Sequence, residues 1–524
     1  ASQSSPPNTA ITAPKGDLSS IKAQIPAQGT LDIGTEGTAT NLGGVLAAQG
    51  ATTVTAASLD NTDGTLASSA GDLRATPHGT TTNKAGRMLA AGPITLANSG
   101  FSNTEGLVSG QRLALDTQRG PLDNTRGTLI AERALDLNSG ALVNHSGLVQ
   151  SGGAMAIDTH GQSLTNTGAA GHATGAGGIV SADSLRIITG TAGGTFGRVE
   201  NGAGFIGAQR ALGVDAGEFA NGDGGLVFGQ AALAIDTHGG AYDNRGGQTL
   251  AVGDMLLKAG AVQNQPGLIR STATTTLDAG SIDNSRSSGE AQGIEGLNVA
   301  MATASLTNAA GAIRAERNAT LTVGQRIDNG FDGSISAGHT LSITDPNTAN
   351  KTLALVNDGT LFAGKALTVE AASLASGGRL LSGEDMRIGL SRQAVFAAGS
   401  QTIANRDLTI DTEADLASSG RVAAGRALSL SGQRIDNTAT GDIQGATTRI
   451  SARDKVTNRG LIDGVTTRID ASTVENIGTG RIYGDHVAIG ATTLNNLAQT
   501  IGGIQRAATI GARRLGVATV TLSV

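Results

Sequence analysis

The chain has 524 residues, 37 basic and 43 acidic, for a formal net charge of −6, and the charges are scattered singly. No basic stripe points to nucleic acid, no apolar run of 18 residues points to a transmembrane helix, and no Cys is present for a disulfide framework or a thiolate metal site. Aromatic residues are 2 % and Trp is absent, so small and aliphatic side chains must fill the core.

The chain opens at Ala1 without a signal-peptide pattern and reads as a mature piece or an excised fragment. Residues 1–28 hold four of the nine prolines, Pro6, Pro7, Pro14 and Pro26. Proline cannot donate to a strand ladder, so this stretch reads as a linker or an irregular start.

A Leu-x-Asn-x-x-Gly pattern then returns about every twenty residues. It reads Leu59-Asp60-Asn61 with Gly64, Phe101-Ser102-Asn103 with Gly106, Leu122-Asp123-Asn124 with Gly127, and Leu142-Val143-Asn144 with Gly147. The Asn recurs at Asn41, Asn61, Asn83, Asn103, Asn124, Asn144, Asn166, Asn201, Asn221, Asn244, Asn264, Asn284, Asn308, Asn329, Asn357, Asn437, Asn458, Asn476 and Asn496. Between Asn357 and Asn437 the register continues with Ser376, Ala398 and Ser418, preceded two places earlier by Leu374, Phe396 and Leu416. Counted this way, 455 residues from Asn41 to Asn496 contain 21 steps, a mean of 21.7. A fixed period of this size signals units that bury their apolar face only by stacking.

Inside a repeat the apolar residues alternate, as in Leu129, Ala131, Leu135 and Leu137, or Val149, Met155 and Ile157. Spacing by two is strand spacing, and Gly and Asn punctuate the runs as turns require. Gly is 78 of 524 residues, which disfavours helix. The reading is an all-β solenoid of about 22 coils, spanning residues 29–510. A leucine-rich repeat also carries an Asn, but its Leu-x-x-Leu-x-Leu-x-x-Asn unit is not present.

Each Asn shares the parity of the inward Leu two places before it, so it should point inward at a corner. Identical amides stacked coil on coil can donate and accept along the stack. Asn61, Asn103, Asn124, Asn144, Asn166, Asn221, Asn244, Asn264, Asn308, Asn458 and Asn476 are the candidate rungs of this structural ladder.

Two steps are long, 35 residues from Asn166 to Asn201 and 28 from Asn329 to Asn357, and they predict longer loops near 167–200 and 330–356. The first contains a Gly-rich stretch over 171–178 with His172 and Thr174, the candidate binding loop, because insertions in a solenoid map to loops where binding is added. Phe196, Phe205, Phe219 and Phe228 follow and read as local core, with Phe219 inward. Residues 511–524 read as an uncapped end that continues in a parent protein, closing on the apolar strand-like run Val517–Val524.

No constellation points to catalysis, a cofactor or a metal. Gly202-Ala203-Gly204-Phe205-Ile206-Gly207 matches a phosphate-turn motif, but a strand pattern follows it where a helix is needed. His160 and His238 share the context Ala-Ile-Asp-Thr-His-Gly, which reads as a copied turn. Some β-solenoids cleave polysaccharides with paired carboxylates. Asp136, Asp158, Asp215 and Asp236 read instead as outward-facing rungs, and a sugar cleft lacks its aromatic platforms here.

The recurrent form Gly127-Thr128-Leu129-Ile130-Ala131, Leu135-Asp136-Leu137, Leu142-Val143-Asn144 resembles the haemagglutinin repeats of filamentous haemagglutinin and the stalks of contact-dependent growth-inhibition exoproteins, over roughly residues 30–500. The resemblance implies a right-handed parallel β-helix. It implies export across the outer membrane of a Gram-negative bacterium by a two-partner-secretion transporter, which reads a region not found here. It implies a secreted or cell-surface monomeric rod that carries an adhesive or toxin region towards a receptor or glycan on a host cell or target bacterium. The expectation is a non-enzymatic shaft, with a carbohydrate- or receptor-binding solenoid as the alternative and a polysaccharide-cleaving β-helix as the least favoured reading.

Overall fold

The computed structural model describes residues 7–169 and 177–523. The chain divides into two compact units, Ala1–Ala273 and Thr274–Val524. Each is a parallel β-solenoid, and no helix occurs among the described residues.

One coil of the first unit shows how the sequence closes. Leu122–Asp123 forms a short strand, the chain turns at Asn124, and Thr128–Asn138 supplies the next two strand segments. The following coil lies parallel on it, with Leu122 opposite Leu142, Leu129 opposite Val149, and Leu135 opposite Met155. Leu142 in turn opposes Leu164. Leu122, Asn124, Leu129, Ala131, Leu135 and Leu137 are buried, while Asp123 and Ile130 between them are half-buried and Asp136 is exposed. The period of two puts alternate residues inside, and burying each inward Leu contributes roughly 1.5–3 kcal/mol.

Residues 9–27 are not an extended linker. Thr9–Ala13 pairs with Leu31–Thr35, Leu18 with Ala39, and Gln24–Ala27 with Val45–Ala48. Pro26 is tolerated in this strand for a geometric reason. The carbonyls of Ala23 and Ala27 accept from Val45 and Gln49 on the neighbouring coil, so by alternation Pro26 faces the side with no strand partner among the described residues.

The long step from Asn166 to Asn201 is mostly regular coil. Gly178–Ser181 stacks on Leu148–Ser151, and Leu185–Ile188 on Met155–Asp158. Among the described residues the extra length is therefore the segment 189–197.

In the second unit the step from Asn329 to Asn357 narrows in the same way. Ser334–Ala337 and Thr340–Thr344 keep the register, and the insertion is 345–353. It is held by one carboxylate: Asp345 accepts from the backbone N–H groups of Asn347 at 2.8 Å and Leu353 at 2.7 Å, and also from Thr352. Burial pushes the Asp345 pKa up, but these three N–H groups outweigh it and hold the carboxyl below its ordinary range.

The gap between Asn357 and Asn437 requires a correction. Asn357 opposes Ser376, Ser376 opposes Phe396, Phe396 opposes Ser418, and Ser418 opposes Asn437. Phe396, not Ala398, occupies the asparagine file, and Ala394 takes the leucine position. Residues 394, 396 and 398 share one parity, so alternation alone does not decide among them.

Candidate functional site

The feature that recurs through both units is the inward corner after each short strand. Asn124 shows its chemistry. Its Oδ1 accepts from Nδ2 of Asn103 at 2.7 Å, and its Nδ2 donates to Oδ1 of Asn144 at 2.7 Å. The same Nδ2 faces the carbonyls of Gly127 and Leu148, both at 3.2 Å. The side chain is fully buried. An unpaired buried amide costs about 1–3 kcal/mol per group, so the rung is stable only because neighbours satisfy it.

In the first unit such bonds, 2.6–2.8 Å long, run from Asn41 through Asn61, Asn83, Asn103, Asn124, Asn144, Asn166, Asn201, Asn221 and Asn244 to Asn264. In the second unit one run joins Asn284, Asn308, Asn329 and Asn357, and another joins Asn437, Asn458, Asn476 and Asn496, at 2.7–2.8 Å. In every bond the earlier Asn donates and the later one accepts.

The polarity has a local cause and a visible consequence. The Gly carbonyl three residues on holds the Nδ2 end of the amide, as Gly64 does for Asn61 and Gly147 for Asn144. At the acceptor end of a run an Oδ1 is left over. Asn41 Oδ1 and Asn437 Oδ1 are buried with no hydrogen-bond partner, and the coil before each carries a Ser, Ser20 or Ser418, in place of an amide.

The Gly of the motif answers to the ladder. Gly127 closes the turn by donating its N–H to Asn124 O at 2.9 Å, after Arg126 adopts φ 52°. A Cβ on Gly127 would lie 2.1 Å from Asn103 O and 2.5 Å from Asn124 Oδ1. Leu-x-Asn-x-x-Gly is thus one steric statement: Leu fills the interior, Asn makes the rung, and Gly leaves room for the rung before it.

The other sequence candidates are dispersed. His172 and Thr174 lie outside the described residues. Only Phe219 of the four clustered Phe is core, fully buried in an edge-to-face contact with Tyr242, ring centroids 5.5 Å apart. Burial pushes the Tyr242 hydroxyl pKa up, and it bonds the Thr249 hydroxyl. Phe205 and Phe228 are half-buried on the outer face, and Phe196, also half-buried, stacks on His238 at 3.8 Å. The local-core reading therefore fails for these three: the alternation that buries Phe219 turns Phe205 and Phe228 outward, and Phe196 lies in the 189–197 insertion.

After Gly202–Gly207 come the strands Phe205–Ala208 and Leu212–Asp215, so no helix N-terminus is available for a phosphate. His160 and His238 sit in equivalent turns at φ 50° and 49°, each donating its backbone N–H to the Asp two places before it at 2.8 Å. Asp136 is not equivalent to Asp158, Asp215 and Asp236. It opposes Ala114 and Ala156, whereas Asn138 shares a file with Asp116 and Asp158. Among the described residues no group of three or more His, Cys, Asp or Glu is placed to hold a metal ion. The turns beside the inward corners pair hydroxyls with acceptors, Thr167 with His145 Nδ1 at 2.9 Å and Thr62 with Asp60 at 2.6 Å, whereas the buried amides of the ladder carry no titratable group. The chemistry they support is mechanical: each rung ties a coil to the next.

These features define a parallel β-solenoid with buried amide ladders. The haemagglutinin repeat model matches residues 291–345, 342–389 and 396–460. The chain is also similar to the tRNA nuclease CdiA of Yersinia mollaretii, with 27 % identity over 365 residues, which is 68 % of this chain and 11 % of that protein. No solved structure matches the chain. These matches support the resemblance to filamentous haemagglutinin and contact-dependent growth-inhibition exoproteins.

Proposed function

We propose that this chain is a length of the shaft of a secreted, cell-surface adhesin or contact-dependent inhibition exoprotein of a Gram-negative bacterium. The role is structural and non-enzymatic. It holds a binding or toxin region, carried elsewhere in the parent molecule, away from the surface that made it. The observation that carries this reading is the amide ladder, continuous from Asn41 to Asn264 in the first unit. A polar file satisfied inside the stack stiffens it without presenting any reactive group. The partners implied are an outer-membrane two-partner-secretion transporter, and a host-cell or target-bacterium receptor or glycan engaged by the parent molecule.

A second reading places a carbohydrate- or receptor-binding face at residues 167–200. One observation favours it: the 189–197 insertion carries Phe196, whose ring is half-buried on the outer surface against His238.

Whole-coil deletion separates the two readings. Removing residues 125–144, one ladder step, from the parent protein should keep display and binding and shorten the reach by about 4.8 Å. The chain alone should bind nothing on a glycan array. Saturable binding of a glycan by the chain alone, lost in Phe196→Ala, would replace the shaft reading with the second one.

A further inference from the structure

The amide runs of the second unit are separated by a coil of different design. In ordinary coils a large aliphatic residue fills the inner file and an amide fills the corner file. Here Ala394 stands in the inner file and Phe396, 1 % exposed, stands in the corner file. The corner residues on the coils before and after are Ser376 and Ser418, both buried and both small. The bulky group has moved from one file to the other, and its two neighbours have shrunk to admit it.

This exchange matters because a uniform ladder cannot count. Asn308, Asn329 and Asn357 make the same bond at 2.7–2.8 Å with the same atoms. A coil that skips its neighbour and stacks on the next one along still finds a matching amide at the junction. It loses the burial of the skipped coil, but nothing at the junction itself opposes the error. The chain therefore needs a rung that matches only its own neighbours.

We infer that Phe396 is this register marker, and that it makes the coils between Asn357 and Asn437 unable to close against any but their native neighbours. Stacking the Phe396 coil directly on Asn357 sets a phenyl ring on an amide that needs an acceptor for its Nδ2. In the native stack that Nδ2 reaches Ser376 Oγ at 3.4 Å and the Arg379 carbonyl at 3.2 Å. Stacking Asn437 directly on Phe396 forces the ring against a full-sized amide where the small Ser418 belongs.

The chain has no Cys, so introduced thiol pairs report register without interference. Val356, Ala375 and Val395 form one outward file. Ala375→Cys with Val395→Cys reports the native neighbour. Val356→Cys with Val395→Cys reports a skipped coil, because two natural steps separate these positions by about 10 Å, beyond disulfide reach. The full chain is refolded from denaturant, oxidised, and the cross-linked fraction measured. With Phe396 in place the skipped pair should stay near background. Phe396→Asn should raise it about fivefold, the ratio that loss of about one net hydrogen bond of discrimination allows. Phe396→Leu, still apolar and unable to join the ladder, should leave it at background. No rise with Phe396→Asn, or an equal rise with Phe396→Leu, overturns the inference. Failure of Phe396→Asn to refold also overturns it, because the inference holds that an amide fits this file.

Discussion

Nδ2 of Asn124 donates to Oδ1 of Asn144 at 2.7 Å, inside a corner where both side chains have almost no exposed surface. The bond joins two consecutive coils whose backbones already pair in parallel. It adds little net free energy by itself, because water would serve each amide in the unfolded chain. Its weight lies in what happens when one partner is removed. Asn124→Leu strands the Oδ1 of Asn144 and leaves the Nδ2 of Asn103 only the carbonyls of Gly106 and Thr128, at 3.2 and 3.3 Å. The expected loss is about 1–3 kcal/mol, felt as faster amide exchange across the coils on either side. Unchanged exchange there would mean the amides are not coupled.

Gly127 is constrained by the same rung. Gly127→Ala drives a Cβ to 2.1 Å from the Asn103 carbonyl, and backbone cannot give way as a flexible side chain can. The cost should reach or exceed the upper end of the roughly 1–3 kcal/mol usual for overpacking. Ala placed at the exposed Arg126 should cost far less, and denaturant unfolding of the two variants compares them directly.

Phe396→Ala should be among the most damaging single changes in the second unit, at about 3–5 kcal/mol, because it opens a phenyl-sized cavity between two serines. The segment 376–418 lacks amides, and packing offsets their loss. Burying Phe396 contributes roughly 1.5–3 kcal/mol, against about 0.5–1.5 for each of the two amide bonds that a ladder Asn there would make. Backbone amides beside Phe396 should exchange as slowly as those between Asn103 and Asn166.

The 345–353 insertion should respond to acid through Asp345. Its folded pKa is depressed, so its contribution is present above the unfolded value of about 3.9 and is lost as pH falls through the folded one. The amides of Asn347, Thr352 and Leu353 should be protected at neutral pH and released in strong acid. Asp345→Asn should release them at neutral pH as well, since one carbonyl oxygen cannot serve three donors. Hydrogen exchange at these three amides reads both effects.

Export should depend on coil stability if the shaft reading holds. Each coil stacks mainly on its immediate neighbours, so a chain emerging from a pore can fold one coil at a time. Leu135→Asp with Leu137→Asp places two charges in the interior of one coil. Segments after residue 137 should then be slow to appear outside the cell, as protease accessibility would show. Export at the wild-type rate with folded distal coils would separate folding from transport.

The period, the strand alternation and the corner Asn were legible because each obeys a local rule: Leu inward, Asn two places on, Gly three after that. Other features needed the neighbouring coil. Pro26 sits in a strand because one of its sides has no described partner, which nothing in residues 1–28 announces. The long steps at 166–201 and 329–357 hide regular coils, since Gly178–Ser181 and Thr340–Thr344 gain their register only by pairing. Phe396 and Ala398 share one parity, and the length of the turn that follows decides between them. Asp136 and Asp158 look alike in sequence but fall in files two residues apart.

A double-mutant cycle on Asn124 and Asn144 tests the ladder most directly. Asn124→Ala, Asn144→Ala and the double variant are compared by the opening free energy of the coils they join. The account predicts a coupling of about 1 kcal/mol between the two, and none between Asn124 and Asn221, which share no partner. Additivity within about 0.3 kcal/mol for Asn124 and Asn144 would contradict it.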